Sequence, residues 1–232
     1  MKLKFTSLFT LLVALGALPS AVLAASITWS TPVLETGIET DIITSGTFVD
    51  SASWRPDDQI VNGVTFNGRI GLSSGNLSFG NGSQITVTNI QNTISVGNAP
   101  WGTNYANLVS GGAYQYSTAA MNLGGLNVGQ SYQVQVFEAF WNDYFPTSFG
   151  GSDPLDLGFG GHNPNYVVGT FTADAVTQAI SLTSGREFGY GYVIFDAVQV
   201  RTASVPDSGT TAALLGTALL GLAALRRRFG CA

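Results

Sequence analysis

Few residues of this chain have the types and spacing that catalysis requires. Glu138 and Asp143 flank one loop, and a glycoside hydrolase uses two carboxyl groups held about 5–9.5 Å apart beside a sugar. The sole histidine, His162, has no serine in a Gly-x-Ser-x-Gly elbow to activate. Surface carboxylates are ordinary in an acidic chain, so the sequence predicts a protein that is not an enzyme. Glu138 and Asp143 are the catalytic alternative.

Aromatic side chains cluster in two stretches of the sequence. Trp101 and Tyr105 lie in the first stretch, and Trp141 and Tyr144 lie in the second. Aromatic rings at the edge of a β-domain suit the C–H faces of sugars, while nearby amides and carboxylates bind the hydroxyl groups. These four residues are the candidate glycan-binding set. The alternative is core packing, because large β-sandwiches bury aromatic residues routinely.

A glycine-rich stretch at residues 150–161 carries Asp153 and Asp156. Carboxylate and backbone carbonyl oxygens are the ligands that Ca²⁺ takes, so this pair is a candidate site for a structural calcium ion. The alternative is a flexible surface loop, because two carboxylates fall short of a full coordination shell. No other cofactor is predicted. The one cysteine, Cys231, excludes an intrachain disulfide.

The elements that would position these side chains are strands. Residues 131–137, SYQVQVF, alternate between two faces with a period of two. In residues 84–90, QITVTNI, the alternation places Ile85, Val87 and Asn89 on one face. Further strand patterns occupy residues 167–171, 179–182 and 190–200.

Turn residues separate these runs, as at Asn62-Gly63 and Gly124-Gly125. No stretch of the middle shows a helical period. Many short strands with Gly- and Asn-rich turns predict an all-β domain over residues 25–202, an antiparallel β-sandwich of the jelly-roll type.

The first 24 residues have the form of a secretory signal peptide. Lys2 and Lys4 precede a short apolar run, and small residues follow it. Ala24 and Ala25 flank the predicted cut by signal peptidase. The sequence therefore predicts an N-terminal signal helix over residues 1–24, an exported chain, and Ala25 as its mature start.

The C-terminal segment has the pattern of a membrane anchor. Residues 203–209 form a linker, and residues 210–225 are apolar or small throughout. As a helix this stretch spans roughly 24 Å, slightly less than a hydrocarbon core about 30 Å thick. Arg226, Arg227 and Arg228 follow and mark the cytoplasmic side, with a basic tail over residues 226–232. The prediction is a transmembrane helix with the body of the protein outside.

The linker contains Val205, Pro206, Asp207, Ser208 and Gly209. This motif, followed by an apolar helix and an arginine cluster, resembles the PEP-CTERM class of sorting signals in its VPDSG variant. The resemblance implies that an exosortase, a membrane-embedded protease, recognises Val205–Gly209 and passes the protein to the cell surface. Proline disfavours helix immediately before itself, which leaves an extended, accessible peptide outside the bilayer.

The middle of the chain carries a second resemblance. It rests on VNGVTFNG from Val61, LGGLNVGQSYQVQVFEAFWND from Leu123, VVGTFTADAVTQAISL from Val167 and YVIFDAVQVR from Tyr192. These segments are similar to a galactose-binding-like jelly-roll module found in surface proteins of Verrucomicrobia and planctomycetes. The resemblance implies a fold more directly than an activity.

Composition excludes one class of partner. The net charge is −5, and residues 25–202 contain four arginines and no lysine, so a basic face for nucleic acid is missing. The sequence therefore predicts a membrane-anchored protein of the cell envelope whose β-domain binds or embeds in extracellular polysaccharide. A purely structural matrix component is the alternative that shares this location.

Overall fold

The computed structural model describes residues 25–73, 75–95, 104–116, 118–138, 147–153, 165–184 and 192–203. The strands are β1 Thr28–Trp29, β2 Val33–Leu34, β3 Phe48–Ser53, β4 Gln59–Val61, β5 Val64–Phe66, β6 Arg69–Ser73, β7 Asn76–Phe79, β8 Thr86–Thr88, β9 Asn92–Ser95, β10 Gly111–Tyr116, β11 Thr118–Leu123, β12 Ser131–Glu138, β13 Thr147–Phe149, β14 Asn165–Thr172, β15 Gln178–Ser184, β16 Tyr192–Phe195 and β17 Ala197–Thr202. A 3₁₀ turn spans Glu39–Asp41, and a short helix, α1, spans Asn104–Leu108.

The strands form antiparallel sheets. The first sheet has the order β1-β14-β12-β17-β3, with β2 also paired to β14. The second has the order β13-β15-β11-β8-β7-β6, and a third joins β16, β10 and β9. Strands β4 and β5 form a separate hairpin. The all-β prediction is confirmed.

One hydrophobic core lies between the first two sheets. Val134 and Val198 from the first sheet and Met121 and Leu182 from the second belong to it, and each is fully buried. Alternate residues of a strand point to opposite faces, so each sheet presents one apolar row to the other. This arrangement is consistent with an all-β sandwich.

A second apolar cluster covers the other face of the first sheet. Phe137 and Ala197 pack there against Phe66 of the hairpin and against Tyr105 and Leu108 of α1. Strand β12 is therefore buried on both faces, since Gln135 and Phe137 on one face are buried as fully as Val134 and Val136 on the other. A strand with both faces covered loses the clean alternation of polar and apolar burial.

Local sequence explains several connections. Asn62 and Gly63 both have positive φ, 48° and 72°, the backbone that a two-residue type I′ hairpin between β4 and β5 requires. Asn89 does not share the buried face of Ile85 and Val87. Asn89 has φ of 61° and is exposed, and its Nδ2 donates a hydrogen bond to the Thr118 carbonyl. The alternation of β8 stops there because the left-handed residue turns the chain.

The middle of the chain also contains a short helix, α1, at Asn104–Leu108, which the sequence pattern does not indicate. Five residues are too few to establish a helical period, and α1 is held by packing rather than by propensity. Its buried side chains, Tyr105, Ala106 and Leu108, lie in the second apolar cluster.

The first sheet has two ends that differ. Ser131 lies opposite Thr172, and the neighbouring Tyr132 lies opposite Thr202; we call this the exit end because Ala203 follows. Glu138 lies opposite Asn165 at the other end, which we call the acidic end. Eight-residue strands separate the two ends by roughly 23 Å.

Candidate functional site

Glu138, the last residue of β12, lies at the acidic end with its side chain 0% exposed. Thr147 Oγ1 donates a 3.1 Å hydrogen bond to Glu138 Oε1 and accepts one of 3.0 Å from the Ile194 amide. Glu138 Oε2 is buried without a hydrogen-bond donor. The carboxyl group is therefore only half supplied with donors, although it is completely removed from water.

Asp196 is the acidic neighbour of Glu138. It lies between β16 and β17 and is also 0% exposed. Burial raises the pKa of Glu138 well above its usual value, and the charge of Asp196 raises it further, against hydrogen bonds from Thr147 that lower it. This arrangement favours the protonated form of Glu138 beside Asp196.

The predicted catalytic partner of Glu138, Asp143, lies outside the described residues. The structure instead supplies Asp196, which is 58 positions away and which the sequence gives no reason to pair with Glu138. A glycoside hydrolase needs its two carboxyl groups exposed to a substrate cleft. The buried Glu138 side chain does not meet that requirement.

A second buried carboxyl group, Glu35, lies immediately after β2 and is 4% exposed. Burial raises the pKa of Glu35 to about 8; a hydrogen bond with Tyr105 lowers it, and the charge of Asp41 raises it. Burial also raises the pKa of Tyr166, a neighbour in β14. Asp41 differs from Glu35 in its supply of hydrogen-bond donors. It accepts hydrogen bonds from the Thr36 amide (2.7 Å), the Thr36 hydroxyl (2.9 Å) and the Gly37 amide (2.9 Å).

Tyr105, one of the four predicted glycan-binding residues, is fully buried in α1. Its ring packs edge-on against Phe137 with 6.5 Å between centroids. Burial raises its pKa, and so does the neighbouring Glu35. Stacking on a sugar from solvent is not available to this ring. Trp101, Trp141 and Tyr144 lie outside the described residues.

The predicted calcium pair is described only in part. Asp153 is exposed, and Asp156 lies outside the described residues. Within the described ranges, no group of three or more His, Cys, Asp or Glu side chains is placed to hold a metal ion.

Asp50, by contrast, is a buried carboxylate with donors at both oxygens. Asp50 accepts hydrogen bonds at Oδ1 from the Ser51 amide (2.7 Å) and Asn67 (3.3 Å). At Oδ2 it accepts from the Ser83 hydroxyl (2.9 Å) and the Gln84 amide (2.8 Å). Asp50 thereby ties β3 to the turn that precedes β8, a structural role.

Comparison with known proteins adds one finding. Residues 204–229 match the family model of the VPDSG-CTERM motif, which supports a sorting signal of the PEP-CTERM kind. This match begins one residue after Ala203, the last described residue of the β-domain. The chain thus combines a β-rich domain with an export and surface-sorting signal.

No curated protein and no solved structure matches the chain. The galactose-binding-like jelly-roll assignment therefore stays a prediction. In the part of the chain that the structure describes, no helix is long and apolar enough to cross a membrane. The predicted signal peptide through Ala24, the motif Val205–Gly209, the helix at 210–225 and the arginines Arg226–Arg228 lie outside that part.

Proposed function

We propose that this protein is exported by signal peptidase cleavage between Ala24 and Ala25 and delivered to the cell surface by an exosortase-type protease. The observation that carries the proposal is the match of residues 204–229 to the VPDSG-CTERM motif. In this account residues 210–225 cross the membrane at least transiently, and Arg226–Arg228 stop the chain on the cytoplasmic side.

The β-domain, of jelly-roll type in this proposal, is non-catalytic and binds or embeds in extracellular polysaccharide. Burial of Glu138 supports a non-catalytic role, because a general acid must reach the glycosidic oxygen. Trp101, Trp141 and Tyr144 remain the proposed sugar-stacking residues. A calcium ion at Asp153 and Asp156 would stabilise the glycine-rich stretch at residues 150–161. In this proposal neither calcium nor any other cofactor takes part in a reaction.

Sorting is tested by changing the motif in the native host. Pro206→Ala and Asp207→Ala in the full chain should leave most of the protein in the membrane fraction, because the protease no longer recognises the segment. Asp174→Ala, an exposed carboxylate in a turn of the domain, is the matched control and should reach the surface normally. Equal surface delivery of the motif variants and the control would contradict the proposal.

Polysaccharide binding is tested separately with the full chain in detergent on a glycan array. Trp141→Ala should reduce binding about tenfold, which corresponds to the loss of one aromatic stacking contact. Ile70→Ala, at a side chain 73% exposed on the edge strand β6, should bind as the parent does. Absence of glycan binding by the parent chain would favour the matrix component instead.

A further inference from the structure

The two ends of the described chain meet at the exit end. Ala25 and Ala203 line one cavity of about 570 Å³ together with Ser131 and Asp174. The Ala203 amide donates a 2.9 Å hydrogen bond to the Ser131 carbonyl. The Ala25 carbonyl accepts a 3.1 Å hydrogen bond from Gln178 Nε2. Both points at which the domain joins its terminal segments are therefore fixed at the same end.

Two turns frame this end. Residues 124–130 connect β11 to β12, and residues 173–177 connect β14 to β15. Backbone hydrogen bonds join the turns, from Leu126 to Val176 (3.1 Å) and from Gly129 to Ala173 (2.7 Å). The turns therefore form one connected surface.

The most exposed apolar side chains of that surface are two valines. Val128 is 64% exposed and Val176 is 63% exposed. Asp174 is the only ionisable residue in either turn, and it is a single charge beside two apolar tips. Apolar tips at an otherwise polar surface are suited to the boundary between headgroups and acyl chains.

The length of chain beyond Ala203 limits the distance to the bilayer. Residues 204–209, six in number, precede the apolar segment, and fully extended they span at most ~21 Å. Burying one valine side chain contributes about 1.5 kcal/mol, so two valines cannot anchor a domain alone. On a domain already held at the surface the local concentration of lipid is high, and the same contact is enough to orient it.

We propose that the exit end faces the lipid surface, with Val128 and Val176 in contact with the interface and the acidic end directed away from the membrane. This inference rests on the proposed function, because it requires the C-terminal segment to hold the domain at a bilayer. It adds an orientation and a second contact with lipid, made by the β-domain.

The test uses the full chain with Cys231→Ser and single cysteines carrying the environment-sensitive fluorophore NBD. Labels replace Val128 or Val176 at the exit end. Matched controls replace Leu34 or Ile38, each 55% exposed, on the opposite side of the domain, where Leu34 pairs with Asn165. The proteins are reconstituted into phosphatidylcholine–phosphatidylglycerol vesicles that contain lipid spin-labelled near the headgroup.

Quenching by the spin label should be at least twofold stronger at 128 and 176 than at 34 and 38. Flotation of the vesicles on a density gradient is measured on the same samples. Flotation with equal quenching, or with stronger quenching at 34 and 38, overturns the orientation and leaves the membrane anchor intact. Protein that does not float overturns the anchor and the orientation together.

Discussion

The exit end and the acidic end of the first sheet differ in how their buried polar groups are hydrogen-bonded. At the exit end, a backbone hydrogen bond from Ala203 to Ser131 and an amide hydrogen bond from the Gln178 side chain to Ala25 fix the two ends of the domain, and none of these groups titrates. At the acidic end, Glu35 and Glu138 are buried with too few donors to favour their charged forms. The exit end therefore fixes the two ends of the domain, and the acidic end contains carboxyl groups whose ionisation opposes folding.

The supply of donors explains this difference. Asp41 and Asp50 are buried too, but backbone amides and side chains surround their carboxylates. Glu35 and Glu138 have burial without equivalent compensation, and desolvation then raises the pKa. The free energy of unfolding should consequently depend on pH through the buried carboxyl groups of the acidic end. A substitution that does not touch those groups should have the same effect at every pH.

The largest expected effect is the loss of a donor-rich carboxylate. Asp50→Ala leaves the amides of Ser51 and Gln84 without their acceptor, and we expect a loss of about 4 kcal/mol in the free energy of unfolding. Denaturant unfolding measures it. Asp174→Ala, at an exposed turn, should change stability by less than about 0.5 kcal/mol. A loss equal to that control would show that the Asp50 network is not structural.

Glu35→Gln should stabilise the protein relative to the parent, and only above about pH 4.5. The folded pKa of Glu35, about 8, lies above the reference value of 4.5, so the folded state binds the extra proton between these values. Parent stability should therefore be complete below pH 4.5 and fall as pH rises toward 8. At pH 8 the variant should exceed the parent by about 4 kcal/mol, and at pH 4.5 the two should agree.

Exposed Glu39 provides the control for that prediction, since Glu39→Gln should leave the pH dependence of unfolding unchanged. Parallel pH profiles of Glu35→Gln and the parent would contradict the assignment of the pH response to Glu35.

In the middle of β14, where Gly169 lies opposite Val134, Gly169→Ala should cost stability equally at pH 5 and pH 8. A Cβ there would lie 2.6 Å from Ile27 Cγ2 and 2.7 Å from Trp29 Cζ3, so the N-terminal strand β1 must shift. We expect a loss of about 2 kcal/mol by denaturant unfolding. Gly71→Ala, where a Cβ meets open space, is the matched substitution and should be close to neutral. A loss of stability that differs between pH 5 and pH 8 would contradict the assignment of the pH response to the acidic end.

The smallest effect belongs to Tyr105→Phe. Without the hydroxyl, Glu35 loses the hydrogen bond that lowers its pKa, and its deprotonation should move to higher pH. At pH 9 the variant should be destabilised by about 1 kcal/mol more than at pH 5. Tyr114→Phe, a ring packed edge-on against Tyr192, should show no such pH difference.

Strand content was predictable because it depends on local pattern. The alternation in residues 131–137 indicated β12, and Asn62-Gly63 indicated the hairpin between β4 and β5. The pattern could not show that α1 and the hairpin cover the second face of β12, because that burial comes from segments distant in sequence. For the same reason the sequence leaves Tyr105 open between sugar binding and core packing, and the structure places it in the core.

The acidic end was predictable only in part. Glu138 was singled out by its residue type, but its neighbour Asp196 follows β16, and only the meeting of strands brings the two together. Glu35 carried no sequence signal, because a glutamate after a short strand is usually exposed. In contrast, the sorting signal was identified from its residues and is supported by the family match, because it is linear and needs no fold.

The central claim is the proposal that this chain is exported and delivered to the cell surface by its C-terminal sorting signal, and the most direct measurement is mass spectrometry of the terminal peptides of the protein recovered from the cell surface. The account predicts that the protein is recovered there with Ala25 as its first residue. An intact chain in the cytosol that retains residues 1–24 would contradict it.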